Sequence, residues 1–199
     1  MRHTFPLFQS HLDLAHHYWT RIVQKGAVVI DATCGHGKDT LRLCQLALSN
    51  NLGRVYAFDV QEEAILSTQK YLQLHLPDTY LERLCLQQRS HATFPAQILP
   101  ESVCLIVYNL GYLPGSNKSY TTVVDSTLQS VQNALPLIKI GGLICITCYP
   151  GHNAGKEEQA ALLKFTTTLC PKTWNCTHQT FINRQAAPSL LLLQKNTNH

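Results

Sequence analysis

The sequence predicts an α/β fold: a three-layer sandwich with helices on both faces of a seven-stranded, mostly parallel sheet that ends in an antiparallel hairpin. Three observations predict it. From Val28 onward, short runs of β-branched and apolar residues alternate with longer segments of helical period, the pattern of parallel strands joined by crossover helices. The stretch V-V-I-D-A-T-C-G-H-G-K-D-T, Val28 to Thr40, joins an apolar run to a helical one through two glycines. The last two apolar runs are separated only by Ile182 to Ser189, which includes Pro188. That connection is too short for a right-handed crossover, so those two strands should pair antiparallel.

Taken in order, Gln9 to Lys25 carries Leu12, Leu14, Ala15, Tyr18, Trp19, Ile22 and Val23 at helical spacing. Ser10 is placed as its N-cap and Gly26 as its stop. The first strand is Val28 to Asp31, followed by a helix from Lys38 to about Ser49 and a turn at Asn50-Asn51-Leu52-Gly53. Arg54 to Asp59 is a second strand ending in an acid, and Glu62 to Leu76 a helix closed by Pro77. Leu84 to Gln88 and Val103 to Tyr108 make strands three and four. Thr121 to Leu137 is helical in pattern, and Gly141-Gly142 precedes strand five, Leu143 to Cys148. A helix from Glu157 to Leu169 and strands at about Trp174 to Phe181 and Leu190 to Gln194 complete the chain.

A chain of 199 residues, 45% hydrophobic and 14% charged, suits one globular domain with a full core and excludes a disordered or low-complexity protein. The expected organisation is a single domain over 1–199, an N-terminal helix within 1–25 and the core in 26–199. The N-terminal stretch has no apolar leader segment and no run reaches the length of a membrane span, so a cytoplasmic, non-membrane protein is expected. A net charge of +4 permits a polyanionic partner without requiring one. Cys145 and Cys148 form a C-x-x-C, but on a strand residues three apart face opposite ways and cannot share a tetrahedral ion. The six other cysteines stand singly among apolar neighbours and read as buried free thiols. His11, His16 and His17 lack supporting ligands and read as the surface of the N-terminal helix. No metal is expected.

In an open parallel sheet, ligands bind beyond the carboxyl ends of the strands. Strand one ends in Asp31, Ala32 and Thr33, then the turn with Gly35 and Gly37. A pyrophosphate fingerprint would have a third glycine where Thr40 stands, so the turn argues against a dinucleotide. It resembles the turn of methyltransferases, whose ligand S-adenosylmethionine carries no phosphate. Asp59, ending strand two some two dozen residues after Gly35, is placed to accept hydrogen bonds from ribose hydroxyls. His91, after strand three, could reach an adenine edge. Strand four runs into N-L-G-Y-L-P-G, Asn109 to Gly115. There an amide oxygen can orient an attacking amine and an aromatic face, Tyr112, can stack on a base. Lys118 closes that loop. After strand five, Y-P-G-H-N-A-G-K-E-E offers Tyr149, His152 as a proton acceptor and Lys156 as a phosphate contact. Glu157 and Glu158 would favour the next helix's N-terminus.

D-A-T-C-G-H-G-K-D-T, F-D-V-Q, N-L-G-Y-L-P-G with Lys118, and Y-P-G-H-N-A-G-K-E-E stand in this order across nearly the whole chain. Together they resemble a bacterial family long labelled "putative rRNA methylases", members of which are understood as tRNA wobble-uridine methyltransferases. The resemblance implies a Rossmann-like class I methyltransferase and S-adenosylmethionine as cofactor. It implies N-methylation of 5-aminomethyl-2-thiouridine in the tRNA anticodon loop, with a homodimer left open. It places Asp31, Thr33, Gly35, Gly37, Asp39 and Thr40 in the cofactor turn, Asp59 and Gln61 on the adenosine side, and His91 and Asn109 nearby. Asn109, Tyr112 and His152 would face the aminomethyl group. Ser116-Asn117 stands where the family commonly has Gly-Asp, which removes a carboxylate. An rRNA base methyltransferase and a non-catalytic, cofactor-binding RNA-interaction protein are the competing readings.

Overall fold

The computed structural model describes residues 10–111 and 124–197. Helix α1, His11–Ile22, starts as its sequence asks. Ser10 is the N-cap, its hydroxyl accepting from the Asp13 N–H while the Asp13 carboxylate accepts from the Ser10 N–H, a reciprocal capping box. There follow β1 Val28–Asp31, α2 Lys38–Ala47, β2 Arg54–Asp59, α3 Glu62–His75, a one-turn α4 Asp78–Leu81 and β3 Leu84–Gln88. The second half comprises β4 Val103–Asn109, α5 Val124–Ala134, β5 Ile138–Cys148, α6 Asn153–Thr166, β6 Trp174–Gln179 and β7 Ser189–Lys195.

The seven described strands form one sheet in the order β3-β2-β1-β4-β5-β7-β6. β1 to β5 run parallel, whereas β7 is antiparallel to both β5 and β6, the β6–β7 pairing being the one that the short 182–189 connection demands. β4 shows why both faces are covered. Leu105 and Val107 join a core with Trp19, Leu43 and Cys145, while Ile106 and Tyr108 join the opposite core with Phe58, Ile144 and Leu162. Each fully buried aliphatic side chain of this kind contributes about 1.5–3 kcal/mol relative to exposure. Cys145 and Cys148 fall in different cores, on opposite faces of β5.

Several boundaries differ from expectation, and the differences have physical reasons. β5 begins at Ile138 rather than Leu143 because the chain pairs with Val103 before Gly141, at φ +74, breaks the register. α6 begins at Asn153 rather than Glu157, so Tyr149 to His152 forms a much tighter loop. Accordingly Glu158 is buried, its carboxylate accepting from Thr127 Oγ1 at 2.7 Å across the α5–α6 contact, and does not serve the helix N-terminus. The cysteines are not uniformly buried, since Cys170 is exposed. No described helix is long and apolar enough to cross a membrane. The helical pattern expected from Thr121 begins outside the described residues.

Candidate functional site

The carboxyl ends of β1, β2 and β4 are stitched together by hydrogen bonds from the residues at and just beyond them. The Thr33 hydroxyl accepts the Asn109 N–H at 2.7 Å, and the Cys34 N–H donates to the Phe58 carbonyl at 2.8 Å. The turn then passes through Gly35 at φ +52 and Gly37 at φ +80, left-handed conformations that cost a side chain energy. Gly37 has a second reason. A Cβ there would stand 3.0 Å from the Thr68 methyl and 3.1 Å from its Cα, so glycine lets α2 and α3 approach.

Asp59 braces the turn from β2. One carboxylate oxygen accepts the Gly35 N–H at 3.1 Å and the other the Gln61 N–H at 3.0 Å. Each oxygen keeps lone-pair capacity toward the outside, and Asp59 is part-exposed. Gln61 caps α3 with its side chain uncommitted to that helix end. Asp31 lies behind the turn, fully buried, accepting from Thr40 Oγ1 at 2.6 Å and the Thr33 N–H at 3.2 Å. Burial, with the Asp39 charge added, raises its pKa to about 7.

His91, after β3, is 8% exposed, and its ring lies edge-on to Tyr108 at 6.0 Å. Its carbonyl accepts from Ser130 Oγ at 2.6 Å, which in turn accepts the Tyr108 hydroxyl at 2.8 Å. His91 Nδ1 is buried and has no hydrogen-bond partner among the described residues. Burial lowers its pKa against the pull of Asp59, so the ring is a neutral, polar group awaiting a partner.

Asn109 is the hub. Its Nδ2 donates to Asp39 Oδ2 at 3.2 Å and its Oδ1 accepts the Tyr149 hydroxyl at 2.7 Å. Those opposed partners fix which end of the amide is the carbonyl. Asp39 Oδ1 also meets His16 Nε2 at 2.9 Å, and the Tyr149 hydroxyl meets His11 Nε2 at 3.1 Å. His11 and His16, expected as helix surface, therefore line the site instead. Their signal was five-residue spacing beside the apolar stripe of α1, which says they flank the packed face but not what they meet. Tyr149 stays a neutral phenol, its pKa pushed up to about 12 by burial and the Asp39 charge.

His152 is placed otherwise than expected. It is the N-cap of α6, and its Nδ1 accepts the Gly155 N–H at 3.1 Å. A ring nitrogen that accepts a hydrogen bond carries no proton, so neutral His152 is protonated on Nε2 and has no free lone pair there. Taking up a further proton would cost the cap, which counts against the proton-acceptor role. Lys156 is exposed on the first turn of α6. Tyr112 and Lys118, expected in the substrate mouth, lie outside the described residues. No group of three or more His, Cys, Asp or Glu able to hold a metal occurs among the described residues.

These groups fit an adenosyl sulfonium ligand. They offer a carboxylate with open lone pairs, a buried orphan imidazole nitrogen and a glycine turn, and among them no cluster of cations suited to a pyrophosphate. The comparisons agree. The family described as "Putative rRNA methylase" matches residues 55–195. A tRNA (mnm(5)s(2)U34)-methyltransferase, chloroplastic, from Arabidopsis thaliana is 38% identical over 94% of this chain and 69% of its own. Among solved structures, a "putative rRNA-methylase" from Clostridium thermocellum is 32% identical with TM-score 0.87, covering 94% of this chain and 98% of that one. A "putative methyltransferase" from Streptococcus mutans in complex with SAH is 30% identical with TM-score 0.81, covering 94% and 99%.

Proposed function

Because the chain belongs to the "Putative rRNA methylase" family and is an S-adenosylmethionine-dependent methyltransferase, we propose that it N-methylates the aminomethyl group of 5-aminomethyl-2-thiouridine at the tRNA wobble position. The observation that carries this reading is the Asn109 amide, held between Asp39 and Tyr149 with its carbonyl oxygen oriented. An exocyclic amine needs such an acceptor to aim its lone pair, with reacting atoms about 3–3.5 Å apart. The name of the 38% identical plant relative supports the nucleoside.

In this reading Asp59 and Gln61 hold the ribose, His91 meets the adenine, and the Gly35–Gly37 turn lies against the rest of the cofactor. Asp31, Thr33 and Thr40 hold that turn in shape from behind, and Asp39 holds Asn109. Bound there, S-adenosylmethionine supplies an electrophilic methyl group. The chain's own task is to present a neutral nitrogen. An alkylamine with a lysine-like pKa of about 10.4 is mostly protonated at neutral pH, so desolvation must lower that value and a group must take the proton. Tyr112, Lys118 and Lys156 serve the RNA side of the mouth. The reading also includes a cytoplasmic setting and, as a point for light scattering, a homodimer.

The test is methyl transfer to tRNA from cells lacking the final wobble methyl, with nucleosides analysed by mass. One added methyl on 5-aminomethyl-2-thiouridine is expected, reduced about 100-fold or more in Asn109→Ala. Transfer to rRNA with none to this tRNA would move the reading to an rRNA base methyltransferase, the alternative that the family's description favours.

A further inference from the structure

With His152 committed to a helix cap, the proton shed by the substrate nitrogen needs another destination. The Tyr149 hydroxyl has one proton and two flanking groups able to receive it, Asn109 Oδ1 at 2.7 Å and His11 Nε2 at 3.1 Å. The His11 and Tyr149 rings meet edge to face, with centroids 5.4 Å apart at 88°. We propose that His11, on the N-terminal helix, accepts the substrate's proton through the Tyr149 hydroxyl, a step that rests on the amine reading above.

The step balances. With the ring proton of His11 on Nδ1, the Nε2 lone pair faces Tyr149; when the Tyr149 hydroxyl turns from Asn109 to His11, Asn109 Oδ1 and a phenol lone pair become free to accept the substrate ammonium. The N–H bond breaks, leaving its electron pair on nitrogen, and the proton passes to the Tyr149 oxygen. The phenol's original proton passes to His11 Nε2. Tyr149 ends as it began, the substrate is a neutral amine, and His11 is an imidazolium that later returns its proton to water.

The surroundings suit a proton acceptor of this kind. Among the described residues the ionisable groups around His11 are Asp13 and His16 on its own helix, Asp39 on α2 and Tyr149 after β5. Burial holds His11 below the ordinary histidine range, so it stands neutral with a lone pair to offer. The Asp39 and Asp13 charges oppose that shift and stabilise the imidazolium once it forms. Tyr149, with its raised pKa, relays as a phenol and is not itself the base. His11 touches no reacting atom and acts only through Tyr149.

The experiment compares wild-type protein with His11→Ala, His11→Gln, Tyr149→Phe and the control His17→Ala, on the tRNA substrate across pH. His11→Gln can still hydrogen-bond Tyr149 but cannot take a proton, which separates propping from proton uptake. For the wild type, kcat should be flat between about pH 7 and about pH 9. Both His11 variants and Tyr149→Phe should lose about 10- to 100-fold in kcat with KM for tRNA little changed. Their rates should climb about tenfold per pH unit as hydroxide replaces the lost acceptor, and added imidazole should partly restore His11→Ala. The exposed His17→Ala should keep the wild-type rate and profile. Wild-type kcat in His11→Gln, or a fall in kcat with an unaltered pH profile and no imidazole rescue, would overturn the proposal. Failure of the wild-type protein to methylate the amine is a separate result, visible before any variant is made, and it overturns the amine reading together with this step.

Discussion

At the scale of single residues, Asp31 shows the fold reshaping chemistry. It sits at the end of β1 with no exposed surface, and burial raises its pKa to about 7. The native state therefore holds this proton more tightly than the unfolded chain does. Its contribution to stability is fully present below the unfolded carboxylate pKa and is lost as pH rises toward about 7, by an amount on the order of a few kcal/mol. His11, His91 and His178, whose pKa values are lowered, push the other way, because unfolding lets them take up protons below about pH 6.5. The difference between two proteins isolates the Asp31 part. Asp31→Asn should gain stability relative to wild type as pH rises from about 4 to about 7.5, measured by urea unfolding. Parallel pH dependences in the two proteins would mean that Asp31 ionises as easily folded as unfolded. His152 offers a second residue-scale check. As an N-cap, its replacement by Ala should cost about 0.5–2 kcal/mol, while His152→Asn should recover most of it, since Asn caps well. Equal stability of the two variants would sink the capping role.

At the scale of elements, the α6 N-terminus is what brings Tyr149 into place. A Cβ on Gly155 would stand 2.0 Å from the Tyr149 carbonyl oxygen, so only glycine lets the helix start this close to the loop that carries Tyr149. Gly155→Ala should push the two apart and weaken the Tyr149–Asn109 bond. Turnover should then fall about tenfold or more, with cofactor affinity little changed, because the contacts around Asp59 lie on other strands. Unchanged turnover would show that the loop absorbs the methyl group. Most elements were legible because their signals are local: period, cap, β-branched run. The start of α6 was not, since the histidine acting as its cap is not among the usual capping residues. The docking of α1 was not either. Its apolar stripe, with Ala15 and Trp19 buried, announced a packed face. But a helical period cannot say that this face lies on β4, β5 and β7, so that His11 and His16 reach Tyr149 and Asp39.

At the scale of the whole molecule, the parallel arrangement of β1 to β5 collects strand ends at one edge of the sheet. Asp31, Asp59, Asn109 and Tyr149 come from four separate stretches of sequence and meet there because the strands are neighbours. That convergence was readable from the rule that ligands lie beyond the carboxyl ends. The bonds among those residues were not readable, since they depend on register and on side-chain direction. A ligand gripping this edge ties β1 and β2 to each other, so it should stabilise the entire fold. S-adenosylhomocysteine at about 100 times its Kd should add about 2.7 kcal/mol to unfolding, seen as a rise in Tm. Asp59 separates binding from bracing. Asp59→Asn keeps a carbonyl that can accept one of the Gly35 and Gln61 N–H bonds, but it loses the charge and half the acceptor capacity left for ribose hydroxyls. The ligand-free variant should melt within a few degrees of wild type, and its gain with S-adenosylhomocysteine should fall to a small fraction of the wild-type gain. A variant that melts lower alone yet gains as much as wild type would make Asp59 a brace of the turn and place the ribose contact elsewhere on the edge.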